Sequence, residues 1–393
     1  MRVAMIGQYP LDERRILGGI EATIVPLVHS LATLPDIEMH VVTCQPYVED
    51  EERRTKSGLP LHVRQRRPHG RLTFHARDVS SIQRALQDIS PDIVHAQGIG
   101  LYSLAAVGSP YAHVASMHGI VFREAQLAKG LAAHMRGAID SFYEKSALAK
   151  MKNLIATSPY CEQELPHIGT FRGRLFVMDN PADERFFALE GDGEASTILY
   201  PGRVIARKGL LNLLQALVEV RKVVPEVTLR VAGETDSEPE YYATCRQFVA
   251  QQGLDHAVSF LGSVTVEQIT QEYARCALLA LPSKQETAPL VISEAMAAGR
   301  PIVTTNTCGM PYLVEDGQSG FLLGYEDTPG WIQALTRITT DPVLRRAMGR
   351  RSREMAIERF HPTAVAQRTR AVYVEMLTGT PSGLRRTWGG GGS

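Results

Sequence analysis

The stretch KQETAPLVISEAMAAGRP, from Lys284 to Pro301, has the punctuation of a short buried helix. Pro289 suits the first turn of a helix, where its missing N–H is no loss. Gly299 suits the position just after a helix, and Pro301 stops any continuation. The stretch therefore predicts a helix over residues 288–298. The apolar run ALLALPS precedes it, and a strand followed by a buried helix is the repeating unit of α/β folds.

Two carboxylates interrupt this apolar segment. Glu286 falls in the loop before the predicted helix. Glu294 falls inside the helix, roughly 8 Å from its start at about 1.5 Å per residue. Buried carboxylates are unfavourable unless another group pairs with them. Either both face solvent or pair with an arginine, or they bind an extended polar ligand near the helix N-terminus.

The same alternation of strand and helix runs through the chain. The strand-like runs are RVAMIGQ, DIVHAQG, HVASMHG and LIATSP in the first half, and ILYPGR, TLRVAGE, VSFLG, ALLALPS and PIVTTN in the second. Helical patterns lie between them, at residues 22–34, 80–89, 125–150, 210–223, 241–252, 266–275 and 290–298. This order predicts parallel sheets with helices on both faces.

A break in this alternation divides the chain. MDNPADERFFALEGDGEAS, at residues 178–196, combines Pro, Gly and charges without strand or helix periodicity. We therefore expect an α/β fold of two doubly wound, Rossmann-like domains that face each other across a cleft, at residues 1–183 and 184–360. A last helical segment within residues 361–380 is expected to cross back to the first domain. Ligands of such sheets bind at the carboxyl ends of the strands.

Composition gives no sign of a metal, nucleic-acid or membrane-spanning protein. The 393 residues have a formal net charge of +0, which gives no reason to expect nucleic acid as a partner. The five cysteines are scattered, without a C-x-x-C pair, which favours free thiols in a reducing cytoplasm. MRVAMIGQYP predicts a short strand rather than a signal peptide, and no apolar run reaches the roughly 18 residues of a membrane span. Residues 388–393, which end in GGGGS, look like an appended linker.

Two short motifs in the first half follow predicted strands. GGIE places Gly18 and Gly19 at a helix start, where backbone amides can approach a phosphate or a sugar, unless the pair is an ordinary turn. SMHG places His118 at a strand end, where it either hydrogen-bonds a ligand or has a structural role. No second His or carboxylate stands nearby at metal-ligand spacing, so no metal site is expected.

The second half supplies cations at the same kind of position. PGRVIARKG places Arg203 and Lys208 around a turn between a strand and a helix. Two cations at a helix N-terminus suit a diphosphate. A G-x-x-x-x-G-K-[ST] loop is absent, and a solvated basic turn is the alternative. Together with Glu286 and Glu294, this set predicts a nucleoside diphosphate flanked by hydroxylated groups.

Five motifs carry a resemblance to a known family. They are GR…KG at residues 202–209, VAGE at 231–234, FLGSV at 260–264, E-x7-E at 286–294, and EAMAAGRPIVTTNTCGMPYLVEDGQSGFLL at 294–323. With them, almost the whole chain resembles a GT-B glycosyltransferase of family 4. The resemblance implies retaining, metal-independent transfer of a hexose-type sugar from a nucleotide diphosphate-sugar to a hydroxyl acceptor. UDP-sugar is favoured as donor, GDP- or ADP-sugar stays open, and no further cofactor is required.

The resemblance also implies roles for residues at matching positions. Arg203 and Lys208 would hold the donor diphosphate, Glu286 the sugar hydroxyls near C3 and C4, and Glu294 the ribose hydroxyls. His118 would lie beside the donor sugar and join Arg203, Lys208 and Glu286 in the catalytic set. The other donor-binding positions are Gly18 and Gly19 near the phosphate or the acceptor, Gly233 and Val264 near the base, and Ala288, Pro289, Leu290 and Val291 around the helix start.

Two positions depart from the family pattern. Many relatives have Gly where Pro289 stands, so one backbone N–H toward the ligand is missing here. Many relatives also have Glu where Tyr312 stands. Because of both departures, we expect the donor preference to differ from the common pattern of the family.

The acceptor side is less defined by the sequence. A growing polysaccharide, a glycolipid or a small glycoside would each suit a hydroxyl acceptor. Residues 53–77 hold many Lys and Arg and no acidic residue, and residues 125–152 add Lys129, Arg136, Lys145, Lys150 and Lys152. These segments either contact an anionic membrane peripherally or are solvated faces balanced by the preceding Glu49–Glu52 run.

Other functions stay open at this point. A nucleotide-sugar 2-epimerase of the same architecture would use the same carboxylates. A non-catalytic nucleotide-sugar binding module would not require an intact set of Arg203, Lys208, Glu286 and Glu294. A nicotinamide dehydrogenase is disfavoured, because no strand is followed by G-x-G-x-x-G.

Overall fold

The chain forms two compact α/β units. The computed structural model describes residues 1–16, 18–68, 70–73, 75–126, 131–168, 171–381 and 383, without the side chains of residues 71, 72, 124, 125 and 131–133. Lys129 and residues 388–393, which were considered above, lie outside the described residues. Unit 1 comprises residues 1–13, 17–180 and 362–393, and unit 2 comprises residues 14–16 and 181–361.

Unit 1 is built on an eight-stranded sheet in the order β3-β4-β2-β1-β5-β6-β7-β8. All neighbouring strands are parallel except β3 and β4. The strands are β1 Arg2–Ile6, β2 Glu38–Gln45, β3 Glu51–Arg54, β4 Pro60–Gln65, β5 Ile93–Gln97, β6 Ala112–Met117, β7 Asn153–Ala156 and β8 Arg174–Val177. The helices between them are α1 Gly19–Ala32, α2 Ala76–Ile89, α3 Leu101–Val107, α4 Val121–Gln126, α5 Leu131–Lys150 and α6 Pro159–Ile168.

Unit 2 is built on a six-stranded parallel sheet in the order β11-β10-β9-β12-β13-β14. The strands are β9 Thr197–Pro201, β10 Thr228–Ala232, β11 Val258–Gly262, β12 Leu278–Leu281, β13 Ile302–Thr305 and β14 Gly320–Leu323. The helices are α7 Glu184–Phe187, α8 Leu210–Val223, α9 Pro239–Gln251, α10 Val266–Arg275, α11 Leu290–Ala297, α12 Thr328–Thr340 and α13 Pro342–Arg359. The near-continuous apolar sequence of β9 and β12 follows from burial on both faces of the sheet.

The last helix, α14 Pro362–Thr378, belongs to unit 1. It packs against α1, and its Val365, Val372 and Tyr373 join the apolar core of that unit. Arg370 forms an ion pair with Asp36 at 2.8 Å, in the turn after α1. The C-terminal segment is therefore part of the packing of the first sheet.

Helix α11 begins two residues later than the sequence suggested. It spans Leu290–Ala297, and Pro289 occupies the N-cap position with extended backbone angles. The ring of a proline disfavours helical backbone angles at the preceding residue, so the helix does not begin at Ala288. Gly299 has a φ of 70°, the left-handed conformation expected of a glycine just after a helix end.

Candidate functional site

The turn that follows β9 positions the cations of unit 2. The N–H of Gly202 donates to the carbonyl of Ala232, and that of Val204 donates to the carbonyl of Glu234. A 3-10 helix over Ala206–Lys208 then leads to Gly209, whose φ of 70° lies in the left-handed region that favours glycine. The carbonyl of Pro282 approaches the same glycine so closely that any side chain would clash with it. Backbone hydrogen bonds at the start of the turn and close packing at Gly209 thus fix its conformation, and with it the position of Lys208.

Lys208, Arg207 and Glu286 form an ion-paired cluster, which we call the charged centre. The Lys208 ammonium lies 3.0 Å from Oε1 of Glu286, and the Arg207 guanidinium lies 3.3 Å from the same oxygen. The hydroxyl of Ser283 donates to this oxygen at 3.1 Å. Arg207 also donates to the backbone carbonyl of Gln285, which fixes the loop that carries Glu286. The side chains of Lys208 and Glu286 are each 13% exposed, so the pair is shielded yet reachable.

The charged centre keeps Glu286 ionised. Burial alone would raise the pKa of this carboxyl, but Lys208 and Arg207 outweigh burial and hold the pKa below its usual value. Glu286 is therefore an acceptor at neutral pH, suited to hydroxyl groups. Lys208 has three donor positions, so it can bind a second anion while it stays paired with Glu286.

Arg203 lies apart from the charged centre. Its side chain is exposed, and no contact with Glu286 is found among the described residues. Its nearest electrostatic effect is on Glu234: burial opposes ionisation there, but hydrogen bonds from Ser237 and Asp236, with a smaller contribution of Arg203, lower the pKa of Glu234. Arg207, and not Arg203, is the arginine that contacts Glu286.

The start of α11 offers backbone donors. No side chain caps the helix, and its first residues, Leu290 and Val291, follow the N-cap Pro289. The N–H groups of a first turn lack intrahelical partners and carry partial positive charge. Ala288 and Val291 are half-buried, while Leu290 is buried. An anion placed here would lie beside the loop that carries Glu286.

Glu294 has a different environment inside the same helix. Its Oε2 accepts a hydrogen bond from the hydroxyl of Tyr273 at 2.7 Å, and that hydroxyl also lies 3.2 Å from the carbonyl of Val291. Burial, without a paired cation in contact, raises the pKa of Glu294 to about 7. This carboxyl is therefore half-ionised near neutral pH.

Gly233 and Val264 stand after neighbouring strands of unit 2. A Cβ at Gly233 would clash with the carbonyl of Gly202, so only glycine allows the loops after β9 and β10 to approach each other. Val264 is a partly buried side chain that packs on the apolar cluster below α11. Both positions lie at the carboxyl ends of their strands, where ligands of parallel sheets bind.

In unit 1, Gly18 and Gly19 lie at the start of α1. Gly18 is the N-cap without a side-chain cap, and a Cβ built on either glycine would meet nothing within 4 Å. The open space and the uncapped first turn suit an anion or a sugar group. The predicted pair thus opens a helix of 14 residues.

His118 follows β6 and belongs to a chain of hydrogen-bonded neutral side chains. Its Nε2 lies 2.7 Å from Oε1 of Gln97. The Gln97 amide nitrogen lies 3.1 Å from Nε2 of His95, whose Nδ1 lies 2.7 Å from the hydroxyl of Tyr373 on α14. Burial lowers the pKa of His118 to about 4. We call His118, Gln97, His95 and Tyr373 the neutral chain.

Sequence reasoning did not single out Arg207, Tyr273 or Gln97. Arg207 stands next to Lys208 in the quoted motif, and only the turn geometry shows that both side chains reach Glu286. Gln97 had a usable signal, because two polar residues at positions 95 and 97 fall on one face of a buried strand.

Two family models match the chain. The glycosyl transferases group 1 model matches residues 195–341, and the glycosyltransferase family 4 model matches residues 17–186. With two parallel α/β sheets, these matches define a glycosyltransferase of the GT-B fold. The chain belongs to the group 1, family 4 glycosyltransferases, which confirms the resemblance drawn from the motifs.

Relatives and solved structures agree with this class. A D-inositol 3-phosphate glycosyltransferase of Nocardioides sp. is 28% identical over 386 residues, which cover 88% of this chain and 83% of the relative. Sucrose-phosphate synthase from Thermosynechococcus elongatus has a TM-score of 0.83 at 21% identity, over 96% of this chain and 100% of that chain. Anabaena HepE in complex with UDP-glucose has a TM-score of 0.73 at 19% identity, over 96% and 100% of the two chains. At these identities the two structures show the fold alone.

Within the described residues, no helix has the length and apolar character needed to span a bilayer. No cluster of three or more His, Cys, Asp or Glu side chains arranged to hold a metal ion occurs in that part of the chain either.

Proposed function

We propose that this glycosyltransferase is a retaining, metal-independent hexosyltransferase that uses a nucleotide diphosphate-sugar, with UDP favoured, and a hydroxyl acceptor. The observation that carries the proposal is the charged centre beside the uncapped start of α11. A shielded lysine, an ionised carboxylate and free helix amides are suited to a diphosphate linked to a hydroxylated sugar.

Each part of the donor has a candidate contact in unit 2. Lys208 and Arg203 bind the diphosphate, and Glu286 accepts hydrogen bonds from sugar hydroxyls. Glu294 accepts from the ribose, since ribose hydroxyls supply donors to a buried carboxylate. Gly233 and Val264 lie near the base, and Ala288, Pro289, Leu290 and Val291 form the wall at the helix start. In unit 1, His118 contacts the sugar, and Gly18 and Gly19 contact a phosphate or the acceptor.

The chemistry follows from the charge that develops on the leaving group. Departure of the nucleoside diphosphate from the anomeric carbon builds negative charge, which preplaced cations and amides stabilise. In this proposal Lys208 and Arg203 supply the charge that a divalent ion supplies in other enzymes. The acceptor hydroxyl attacks from the face of the leaving phosphate, which takes its proton, so the anomeric configuration is retained.

UDP is favoured because the solved structure of HepE, which shares the fold, carries UDP-glucose. Pro289 removes one backbone donor near the sugar, so we expect a sugar preference that tolerates this loss. GDP- and ADP-sugars are retained as arms of the test.

Product analysis tests the proposed function. The protein is incubated with UDP-, GDP- or ADP-glucose and a panel of glycoside, glycolipid and oligosaccharide acceptors, with and without EDTA. We expect UDP release, unchanged turnover in EDTA and a product whose anomeric proton coupling matches that of the donor. An inverted product, a covalent glycosyl-enzyme or loss of turnover in EDTA contradicts the mechanism. A donor epimerised at C2 without acceptor would identify the epimerase instead, and no nucleotide release with any donor rejects the function.

We also propose a cytoplasmic location with peripheral contact to anionic membrane. Helix α5 exposes Met135 and Phe142, 59% and 53% exposed, seven residues apart on one face. Arg136 and Lys145 are exposed on the same helix, the combination that lies in a membrane interface. The basic residues of the 53–77 segment contribute less, because Arg53 pairs with Glu51 and Arg64 pairs with Glu52.

Cosedimentation tests the membrane contact. We expect binding to anionic vesicles at low salt, release at high salt, and weaker binding of a Met135→Ser, Phe142→Ser variant. A matched control is Val343→Ser, another exposed apolar residue, on α13 of unit 2. No cosedimentation of the wild-type protein at low salt would reject the contact.

A further inference from the structure

The neutral chain crosses the sheet of unit 1 from one end of β6 to the C-terminal helix. His95 and Gln97 point to the same face of β5, two residues apart, and Ser116 of β6 pairs in register with Gln97. His95 and Tyr373 are completely buried, and Gln97 is 2% exposed. Among the described residues, the hydrogen bonds of the four side chains join them to one another, to Ser116 and to Met5.

The amide of Gln97 fixes the direction of every hydrogen bond in this chain. Its nitrogen lies 2.9 Å from the sulfur of Met5, which can accept a hydrogen bond but has no proton to donate. The nitrogen therefore faces Met5 and His95, and the oxygen faces His118. An amide oxygen only accepts, so Nε2 of His118 carries the proton that is donated to Gln97.

The same logic assigns the protons of His95. The Gln97 amide donates to Nε2 of His95, and the hydroxyl of Ser116 lies 2.8 Å from that nitrogen. The proton of His95 is therefore on Nδ1 and is donated to the hydroxyl of Tyr373. Burial, with a smaller contribution of His118, lowers the pKa of His95 to about 3, so this ring stays neutral.

The Gln97 side chain packs closely against the backbone of Gly7. A Cβ at Gly7, just after β1, would come within 2.8 Å of Cβ of Gln97 and 2.8 Å of Cδ1 of Ile24. The absence of a side chain at residue 7 thus makes the space that Gln97 occupies. The close packing thus confines the first carbons of the Gln97 side chain, and the contact with Met5 sets the orientation of the amide that His118 meets.

The outer side of His118 is open. The residue is only partly buried, and its Nδ1 has no partner among the described residues. With the proton on Nε2, Nδ1 presents a lone pair that can accept a hydrogen bond from a sugar hydroxyl.

We propose that Gln97, His95 and Tyr373 are positioning residues that hold His118 as a neutral ring with its proton on Nε2 and its Nδ1 acceptor facing the ligand. The inference rests on the proposed function, in which His118 contacts the donor sugar. The positive charge that develops on the sugar during the reaction is a physical reason for a neutral ring. Glycosyl transfer passes through an oxocarbenium-like state, and an imidazolium beside a positively charged sugar would be unfavourable.

Gln97→Glu is the sharpest test, because a carboxylate of nearly the same shape would favour the imidazolium form of His118. We expect kcat to fall roughly 10-fold or more, the pH profile of kcat to shift, and UDP affinity to stay unchanged. Gln87→Glu on the exposed face of α2 adds the same charge to the same unit and should behave like the wild-type protein. Tyr373→Phe removes only the last hydroxyl and should lower kcat by a smaller factor.

Nitrogen-15 spectra of the histidines test the protonation state directly, with His118 assigned from a His118→Gln spectrum. We expect protonated Nε2 and unprotonated Nδ1 in the wild-type protein from pH 7 down to about 5.5, and a doubly protonated ring near neutral pH in Gln97→Glu. A wild-type imidazolium at pH 6, or a proton on Nδ1, would overturn the proposal. Wild-type kcat in a folded Gln97→Glu variant would also overturn it.

These outcomes are distinguishable from failure of the proposed function. The spectra need no substrate, so they test the neutral chain even if the protein turns over no nucleotide-sugar. Absence of all turnover would reject the proposed function, whereas full turnover of Gln97→Glu would reject only the positioning role.

Discussion

The charged centre of unit 2 and the neutral chain of unit 1 use opposite electrostatics. Glu286, Lys208 and Arg207 are ions within hydrogen-bonding or salt-bridge distance, and their mutual attraction keeps Glu286 ionised despite burial. His118 and His95 are hydrogen-bonded to neutral partners, and burial keeps both rings uncharged. The contrast shows two ways of fixing the charge of a buried group: ion pairs keep Glu286 charged, whereas burial among neutral partners keeps His118 and His95 uncharged.

Loss of Lys208 should have the largest effect on this contrast. Lys208→Ala removes the shielded cation from the charged centre, while Arg207 and Ser283 still hold Glu286. We expect kcat/KM for the donor to fall roughly 100- to 1000-fold, since a preplaced donor to developing charge is removed. Lys222→Ala, an exposed lysine of α8 paired with Glu219, is the matched control. Equal kcat/KM of the two variants would contradict the diphosphate role.

Glu286→Gln separates the sugar contact from the phosphate contact. The amide keeps the shape but loses the charge, so hydrogen bonds from sugar hydroxyls weaken. We expect kcat/KM to fall roughly 10- to 100-fold, while the affinity for UDP alone stays the same or rises, because Lys208 loses its competing anion. Calorimetric titration with UDP and with UDP-sugar measures both. A parallel loss of affinity for UDP and UDP-sugar would show that Glu286 organises the phosphate site instead.

The charge of Glu294 is intermediate between that of the ionised Glu286 and that of the neutral His118 and His95. We therefore expect donor binding to depend on pH through Glu294. Its pKa of about 7 reflects burial beside a neutral Tyr273, with Asp183 raising and Arg185 lowering the value. Ribose hydroxyls bind the ionised form, so UDP affinity should rise about 10-fold from pH 6 to pH 8. Glu294→Gln should lose this dependence, and comparison with the variant cancels the titration of UDP itself. An identical pH dependence in both proteins would rule out Glu294 as the titrating group.

The smallest predicted effect is that of Glu294 on the stability of the folded protein. The folded pKa is raised above the ordinary value of 4.5, so the folded state holds more protons between pH 4.5 and about 7. The resulting cost to stability is absent below pH 4.5 and complete above about 7. Glu294→Gln should therefore raise the free energy of unfolding by about 1–2 kcal/mol at pH 8 and change it little at pH 5.

Urea unfolding at the two pH values measures this difference. Glu219→Gln, an exposed glutamate of α8, is the control. A variant that is equally or less stable than the wild-type protein at pH 8 would show that the carboxyl is not strained by burial.

The sequence predicts helices and strands well wherever apolar periodicity is strong. Helices α8 and α10 and strand β11 have the bounds expected from sequence. Both helices carry apolar residues at helical spacing, and a glycine or threonine stands directly before each. The glycine and proline signals place the start of α11 two residues too early, because Pro289 also restricts the backbone of Ala288.

Site geometry is harder to predict because it depends on contacts far apart in the chain. The motif PGRVIARKG does not show whether Arg203 or Arg207 contacts a distant carboxylate. The 3-10 turn brings Arg207 to Glu286, which is 79 residues away in the chain. Likewise, the hydrogen bond from His95 to Tyr373 spans 278 residues and depends on how α14 packs. Sequence motifs single out Lys208 and Glu286, whereas the contacts of Glu286 with Arg207 and Ser283 become visible only in the fold.

Thermal unfolding with UDP tests the central claim most directly. Ligand that binds only the folded protein raises its stability by mass action, by about 2.7 kcal/mol at 100 times the dissociation constant. We expect the unfolding temperature of the wild-type protein and of Lys222→Ala to rise with UDP concentration, and that of Lys208→Ala to stay constant. No shift of the wild-type protein with UDP, GDP or ADP, or an equal shift in Lys208→Ala, would contradict a nucleoside diphosphate site at the charged centre.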